Sequence, residues 1–480
     1  MSEKEKSGVL KKDEVWSGTI LVIGDVVIEE GVTLNIKPGT KVLFANSRND
    51  CSPAKSKDNC VPDRSIEEAI RTGEGIDDTF MHFDPLRTLE YAKYHSALLI
   101  LGSLSAIGEP EHPILFTSAS PIPNYGDWRG IFLSAESKGR MEHCIVEWCR
   151  HGVFPQTDDL KVTKSVFRHI LYGALHAHNC SPVYEYNIIH DDAHEAFDCC
   201  GSHPTIRYNI ISQVRTGCVF YGYNKDPLIF EYNIIRDCFA SIQIMNKANA
   251  VIRNNIVIAS GDVIKPWTYR DYVLFPRDLK WPMAPQGIKV SDFSQAEISN
   301  NIFTGFRGPA ISYSTIGETE GIFFPPTRPT RGEVLEEAYE PQKMIIKNNI
   351  FNRSGAIGFR KEFNGEEVRA LGGLNLKNVS ISHNLYNDIV MCPHYVLGEG
   401  EIVDEDPKLD DNFHLGSDSP AKRTGEGEVD MGVMWNSEFE KTVEKYFKLY
   451  PYNPEFEEAL KKMRGLRHTG TYQPTSWYPW

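Results

Sequence analysis

The sequence has no apolar run near the roughly 18 residues that a membrane-spanning helix needs, so no such span is expected. The stretch from Met1 to Glu14 is charged and lacks the apolar centre of a secretory leader. The expectation is an exported protein, extracellular or periplasmic, whose leader lies outside this sequence, with the cytoplasm as the alternative. Cysteine is sparse: 10 residues in 480 are too few for a disulfide scaffold, and most read as small core residues. Cys51 and Cys60, which flank a polar loop, are the pair that could join if the protein is exported. Positive charge is also short. With 51 Lys and Arg against 65 Asp and Glu, the net charge is −14, which argues against nucleic acid or an anionic membrane as a bulk partner. A local basic patch in a sugar-binding groove remains compatible with it.

What the chain does have is a repeat. Tyr186-Asn187-Ile188-Ile189 returns as Tyr208-Asn209-Ile210-Ile211, as Tyr232-Asn233-Ile234-Ile235 and as Asn254-Asn255-Ile256-Val257. The Asn residues are spaced by 22, 24 and 22 positions. The motif resumes at Asn300-Asn301-Ile302-Phe303, Asn348-Asn349-Ile350-Phe351 and His383-Asn384-Leu385-Tyr386. A fixed period in this range marks a solenoid. The apolar residues alternate and are often β-branched, so the elements are strands rather than helices. Three short strands at about 3.3 Å per residue fill one turn of this length. An inward Asn at one corner can stack its amide on the next and satisfy buried backbone groups. The fold class expected is all-β, a right-handed parallel β-helix.

The solenoid is expected over residues 15–433, with insertions at about 46–95, 261–287 and 313–343. Residues 434–480 read as a helical segment and aromatic tail that caps the last turn. The 261–287 insertion mixes aromatic and basic side chains. Trp267, Tyr269 and Arg270 there, together with Tyr172, are candidates for stacking on sugar rings and pairing with carboxylates. The competing reading packs those aromatics on the solenoid flank.

From Leu98-Leu99-Ile100-Leu101-Gly102 through Pro113-Ile114-Leu115-Phe116 and Asp127-Trp128-Arg129-Gly130, the strand succession resembles the pectin-lyase-like superfamily of β-helix repeat proteins. Asp406-Pro407, Ser419-Pro420-Ala421 and Asp430-Met431-Gly432 are similar to its closing turn. The resemblance spans roughly residues 16–433. It implies the fold, and a cleft lined by the turn after the Asn-bearing strand and by the sheet that follows. It implies no single chemistry, because lyases, hydrolases, epimerases and non-enzymes share the architecture. The repeat also resembles that of NosD-type periplasmic proteins. The Asp-rich and Arg signature of the calcium pectate lyases and the aspartate set of the polygalacturonases do not occur here.

Eight of the 15 His lie between positions 143 and 203, where an even spread over 480 residues would put about two. Five of the ten Cys lie there as well. A 22-residue step stacks His190 on Arg168, Asp191 on His169, His194 on Tyr172, Asp198 on His176 and Cys200 on His178. Neighbours in such a stack are about 4.8 Å apart. In one reading His190, Asp191, His194 and Glu195, with Arg168 and His169, supply acid–base groups on the cleft wall. In a second, His176, His178, Asp198, Cys199, Cys200 and His203 supply ligands for a divalent metal, Zn, Cu or Fe, with Ca as the oxygen-ligand alternative. In a third, they are solvated turn residues and a self-satisfied His176–Asp198 pair.

The functional expectation is a carbohydrate-active lyase or hydrolase acting on an acidic polysaccharide or oligosaccharide. The alternative is a non-catalytic β-helix that binds glycan or metal. Strand phase at the cluster stays open. If Asp198 is the counterpart of Ile244 it points inward, and a one-residue slip reverses that.

Overall fold

The computed structural model of the protein describes residues 4–45, 95–121, 123, 125–222, 224, 226–261, 263–265, 281–283, 285–291, 294–313, 343–355, 357–359, 378–389 and 398–449. These form three stacked ladders of short parallel strands. The first face includes Leu175–His178, Glu195–Cys200, Thr216–Tyr221 and Ala240–Met245. The second includes Val183–Glu185, Thr205–Arg207 and Leu228–Glu231. The third includes Ile188–His190, Ile210–Ser212 and Ile234–Arg236. Each strand pairs in parallel with its counterparts one turn before and after, as in Ile188 with Ile210 and Ile210 with Ile234. No helix among the described residues is long and apolar enough to cross a membrane.

The repeated Asn forms one continuous buried ladder. The Asn209 Nδ2 donates to Asn233 Oδ1 at 3.0 Å, and the same contact runs from Asn187 through Asn255, Asn301 and Asn349 to Asn384. Each Nδ2 also reaches a carbonyl of the preceding turn, such as Tyr184 O and Ile206 O. The residue before each ladder Asn is left-handed, with φ of 60° at Tyr186, 61° at Tyr208 and 57° at Asn254. The side chain of that residue therefore leaves the corner outward.

The two Ile of each motif have different partners. Ile189, Ile211 and Ile235 fill the interior, while Ile188, Ile210, Ile234 and Ile256 form a second, outer apolar row. A strand buried on both sides reads as a continuous apolar run, which is why the motif is Ile-Ile and not alternating. The outer row is covered by the C-terminal part of the chain. Met431 and Val433 pack on it, as do Phe439, Val443 and Tyr446 of the helix Ser437–Leu449, α1. The left-handed residues serve this covering. Tyr186, Tyr208 and Tyr232 stack at 5.0 and 5.5 Å, and Phe439 meets Tyr232 edge-on. Where the motif changes from Tyr-Asn to Asn-Asn, the side chains bond the returning backbone instead. Asn254 Oδ1 accepts from Met434 N at 3.0 Å, and Asn300 Nδ2 donates to Gly432 O at 3.0 Å.

The C-terminal helix thus lies along the flank of the turns at Tyr186 to Ile256, not over the last turn where a cap was expected. The reason is the outer Ile row, which needs cover along its length. Phe439→Ala should cost about 3–5 kcal/mol of docking energy. Hydrogen exchange should show it as lost protection in α1 and in the outer edge of the third face, with the first face unchanged.

The insertions expected at 46–95, 261–287 and 313–343 lie largely outside the described residues. So do the Cys51–Cys60 pair, Trp267, Tyr269, Arg270 and the tail beyond Leu449. The antiparallel pair Val263–Lys265 with Trp281–Met283 is described within the second insertion.

Candidate functional site

Register settles which way the cluster faces. Phe197 pairs with Cys218 and then Ile242, all in the core, while Asp198 pairs with Val219 and then Gln243. Leu175 and Ala177 are likewise interior, so His176 and His178 project from the outer side of the first face with Asp198. The supposed equivalence of Asp198 with Ile244 fails because one turn is a residue shorter than the 22-residue step. His176 and Asp198 are nonetheless buried, at 0% and 2% exposure.

Five residues along this outer side form a chain of polar contacts. His151 Nδ1 lies 3.0 Å from His176 Nε2. His176 Nδ1 and His178 Nε2 each lie 3.2 Å from the same oxygen, Asp198 Oδ2. Tyr221 Oη is 3.3 Å from His178 Nε2. The His176 ring stacks on Phe154 at 4.4 Å, and its Nε2 donates to the Gly173 carbonyl at 3.0 Å. Gly173 is required for this approach, since a Cβ there would lie 2.5 Å from the ring. Burial alone would raise the Asp198 carboxyl. The facing imidazoles of His178 and His176 outweigh it and hold Asp198 well below the usual carboxylate range. Burial lowers the His176 imidazole.

Three positions earlier on the strand, Glu195 is buried against His194, whose Nδ1 meets Glu195 Oε2. The His194 ring stacks on Tyr172 at 4.4 Å. Burial, and after it the charge of Asp198, push the Glu195 carboxyl up to about 8, with Arg215 and His176 opposing. The two carboxyls of one strand are therefore driven apart, one towards the acid and one towards the anion.

The remaining candidates gather on the third-face side of the corner. His169 Nδ1 lies 2.9 Å from Asp191 Oδ2, and its ring stacks on Trp148 at 4.1 Å. Tyr125 Oη donates to the Asp191 carbonyl at 3.1 Å. His169 and His190 stand 6.4 Å apart, ring to ring. Arg168 Nε donates to Glu147 Oε2 at 2.6 Å. Trp148, His169 and Asp191 all have φ near 60°, at 62°, 56° and 59°, so the corner turns these side chains outward in a column.

Not every predicted ligand joins the His–Asp group. Cys199 points into the core, in register with Ala177 and Phe220, on the opposite side of the strand from Asp198. His203 sits on the exposed turn after the strand. Cys200 is in register with His178 and Tyr221, and its Sγ lies close to Gly222. Sequence reasoning did not find Tyr221, Trp148 or the role of Gly173. Tyr221 was reachable only through register, because its turn departs from the 22-residue step.

Residues 129–319 match the family model described as a right handed beta helix region. A search of curated proteins returns no match. Among solved structures the chain is similar to the PL6 family alginate lyase AlyGC and to a point mutant of it, each at 13% identity. The alignments cover 84% and 86% of this chain, with TM-scores of 0.32 and 0.29. This chain spans little more than half of those structures, 56% and 58% of their length. By its strands, its Asn ladder and the matched region, the chain is a right-handed parallel β-helix.

Proposed function

We propose that the protein cleaves a polysaccharide, an acidic one, at the first face, with Glu195 as the proton donor to the leaving glycosidic oxygen. The observation that carries this reading is the Glu195–His194 pair, buried yet backed by an aromatic ring at the start of a strand. A carboxyl raised to about 8 holds its proton at neutral pH, as a general acid must. Asp198, held ionised three residues away, is the complementary base. Tyr172 offers a ring for sugar stacking, and Arg168, with its side chain 38% exposed, offers a fork for a carboxylate. The same groups serve elimination, in which a base removes the proton beside a uronate carboxylate, and hydrolysis, in which it activates water.

Glu195→Gln keeps the shape and removes the transferable proton. It should lower turnover of the cleaved polysaccharide by about 10²- to 10⁴-fold while leaving the circular dichroism spectrum unchanged. Wild-type turnover should fall as pH rises through about 8, where the Glu195 proton is lost in the field of Asp198, Arg215, His176 and His194. An ultraviolet-absorbing unsaturated product identifies elimination, and its absence with new reducing ends identifies hydrolysis. Unchanged turnover in Glu195→Gln would sink the assignment. Glycan binding without cleavage by the wild type would assign a non-catalytic binder instead.

A further inference from the structure

We propose that His176, His178 and Asp198 form a binding site for one divalent transition-metal ion of the zinc type. The inference does not rest on polysaccharide cleavage and stands or falls by metal binding alone.

Three ligand atoms converge. His176 Nδ1, His178 Nε2 and one Asp198 oxygen all lie within 4.8 Å of one another. A tetrahedral ion about 2.1 Å from each of two donors holds them roughly 3.4 Å apart. Both N···O separations here are 3.2 Å, and both end on the same oxygen. The rings are aimed by their surroundings and not by each other alone. Gly173 O only accepts hydrogen bonds, so a His176 that donates to it at 3.0 Å carries its hydrogen on Nε2, with His151 Nδ1, also 3.0 Å away, as a second acceptor. That leaves Nδ1 as the atom facing Asp198, in the arrangement a metal-bound imidazole adopts with its second nitrogen on a carbonyl. The missing Cβ of Gly173 and the Phe154 ring on the other face hold the imidazole in this pose.

Donor chemistry selects the ion. Two imidazoles and one carboxylate suit Zn²⁺ and its first-row neighbours, whereas Ca²⁺ needs six to eight oxygens. Burial of His176 and Asp198 leaves little room for the waters that a larger coordination shell requires. His178 is the most exposed of the three, with 16% of its side chain accessible, and Tyr221 Oη lies beside it.

The test is titration of the chelator-treated full chain with Zn²⁺ alone by calorimetry, and with Co²⁺ alone by absorption. The wild type should bind one ion per chain, and the cobalt form should show d–d bands without a thiolate charge-transfer band. His178→Ala and Asp198→Asn should each weaken binding by more than the roughly 10- to 100-fold typical of losing an outer partner. His203→Ala, on the exposed turn, should bind as the wild type does. His178 is partly exposed, so its variant is expected to fold, which circular dichroism checks. No saturable binding by the wild type, binding unaffected in a folded His178→Ala, or a thiolate band implicating Cys200 would each overturn the proposal.

Discussion

Replacing Asn233 with alanine is expected to cost about 3–5 kcal/mol of stability, or to prevent folding altogether. The side chain is 0% exposed and its amide is saturated. Its Oδ1 accepts from the backbone N and the Nδ2 of Asn209, at 2.9 and 3.0 Å. Its Nδ2 donates to Ile206 O and Glu231 O at 3.0 and 2.9 Å, and to Asn255 Oδ1 at 3.3 Å. Alanine leaves these groups in the interior with nothing to replace the amide, and each orphaned group costs about 1–3 kcal/mol. The urea midpoint of the wild type and of Asn233→Ala measures the effect. Glu231→Ala is the contrast, two residues away. Glu231 belongs to an outward column of alternating charge, with Arg253 bonded to it at 2.8 Å and Arg207 bonded to Glu185 at 2.7 Å. Surface pairs of that kind are worth about 0–1 kcal/mol, so the midpoint should hardly move. Equal losses in the two variants would mean that the ladder is not what fixes the corner.

The second large effect concerns Asp192, which sits in the interior column at the other corner, between Ile170 and Val214. It is 0% exposed. Its Oδ1 accepts from Ile170 N at 2.9 Å, as a ladder Asn would, while Oδ2 has no hydrogen-bond partner among the described residues. Burial raises this carboxyl well above its ordinary range, and the bond from Ile170 only partly opposes the rise. A proton is therefore taken up on folding. The stability this group supports is complete below its unfolded pKa, near 3.9, and drains away as pH rises towards the folded value. Asp192→Asn keeps the acceptor and removes the titration. The variant should gain on the wild type by about 1.4 kcal/mol per pH unit above pH 4, until the folded pKa is reached. All other groups are shared, so the difference between two pH-dependent stability curves isolates this one carboxyl. A difference that does not change with pH would show that Asp192 is ionised in the folded protein.

The sequence made the ladder corner legible because that corner imposes one residue type. An amide can donate to and accept from the turns above and below at once, so Asn recurs from Asn187 to Asn384, while Ser165 makes the shorter version of the same contacts one turn earlier. The outer Ile row was present in the same motif, but its consequence was not. Nothing in Tyr-Asn-Ile-Ile says that the partner of the first Ile lies some 200 residues downstream in α1. The stacking of Asp191 on His169 and of His194 on Tyr172 followed from a constant step and is found in the structure. The facing of Asp198 did not follow, because one shorter turn between Cys200 and Thr216 shifts phase by a residue, and a strand inverts its sides with each such shift. Periodicity predicts neighbours within the turns that obey it and misleads across the turn that departs from it.

The corner that carries the Asn ladder has one further property. From Leu160–Thr163 to Leu385–Asn387, every passage from a second-face strand to a third-face strand takes two residues. The corners at either end of the first face vary from three residues to about fifty. All added length therefore enters on one side of the molecule, and the amide spine continues across ladder steps of 46 and 48 residues as it does across 22. A chain built this way can acquire or exchange whole segments at the first-face corners without re-solving its own fold. Those corners flank the strand that carries Glu195 and Asp198, so descent can vary what surrounds the site while the frame that holds it is inherited unchanged.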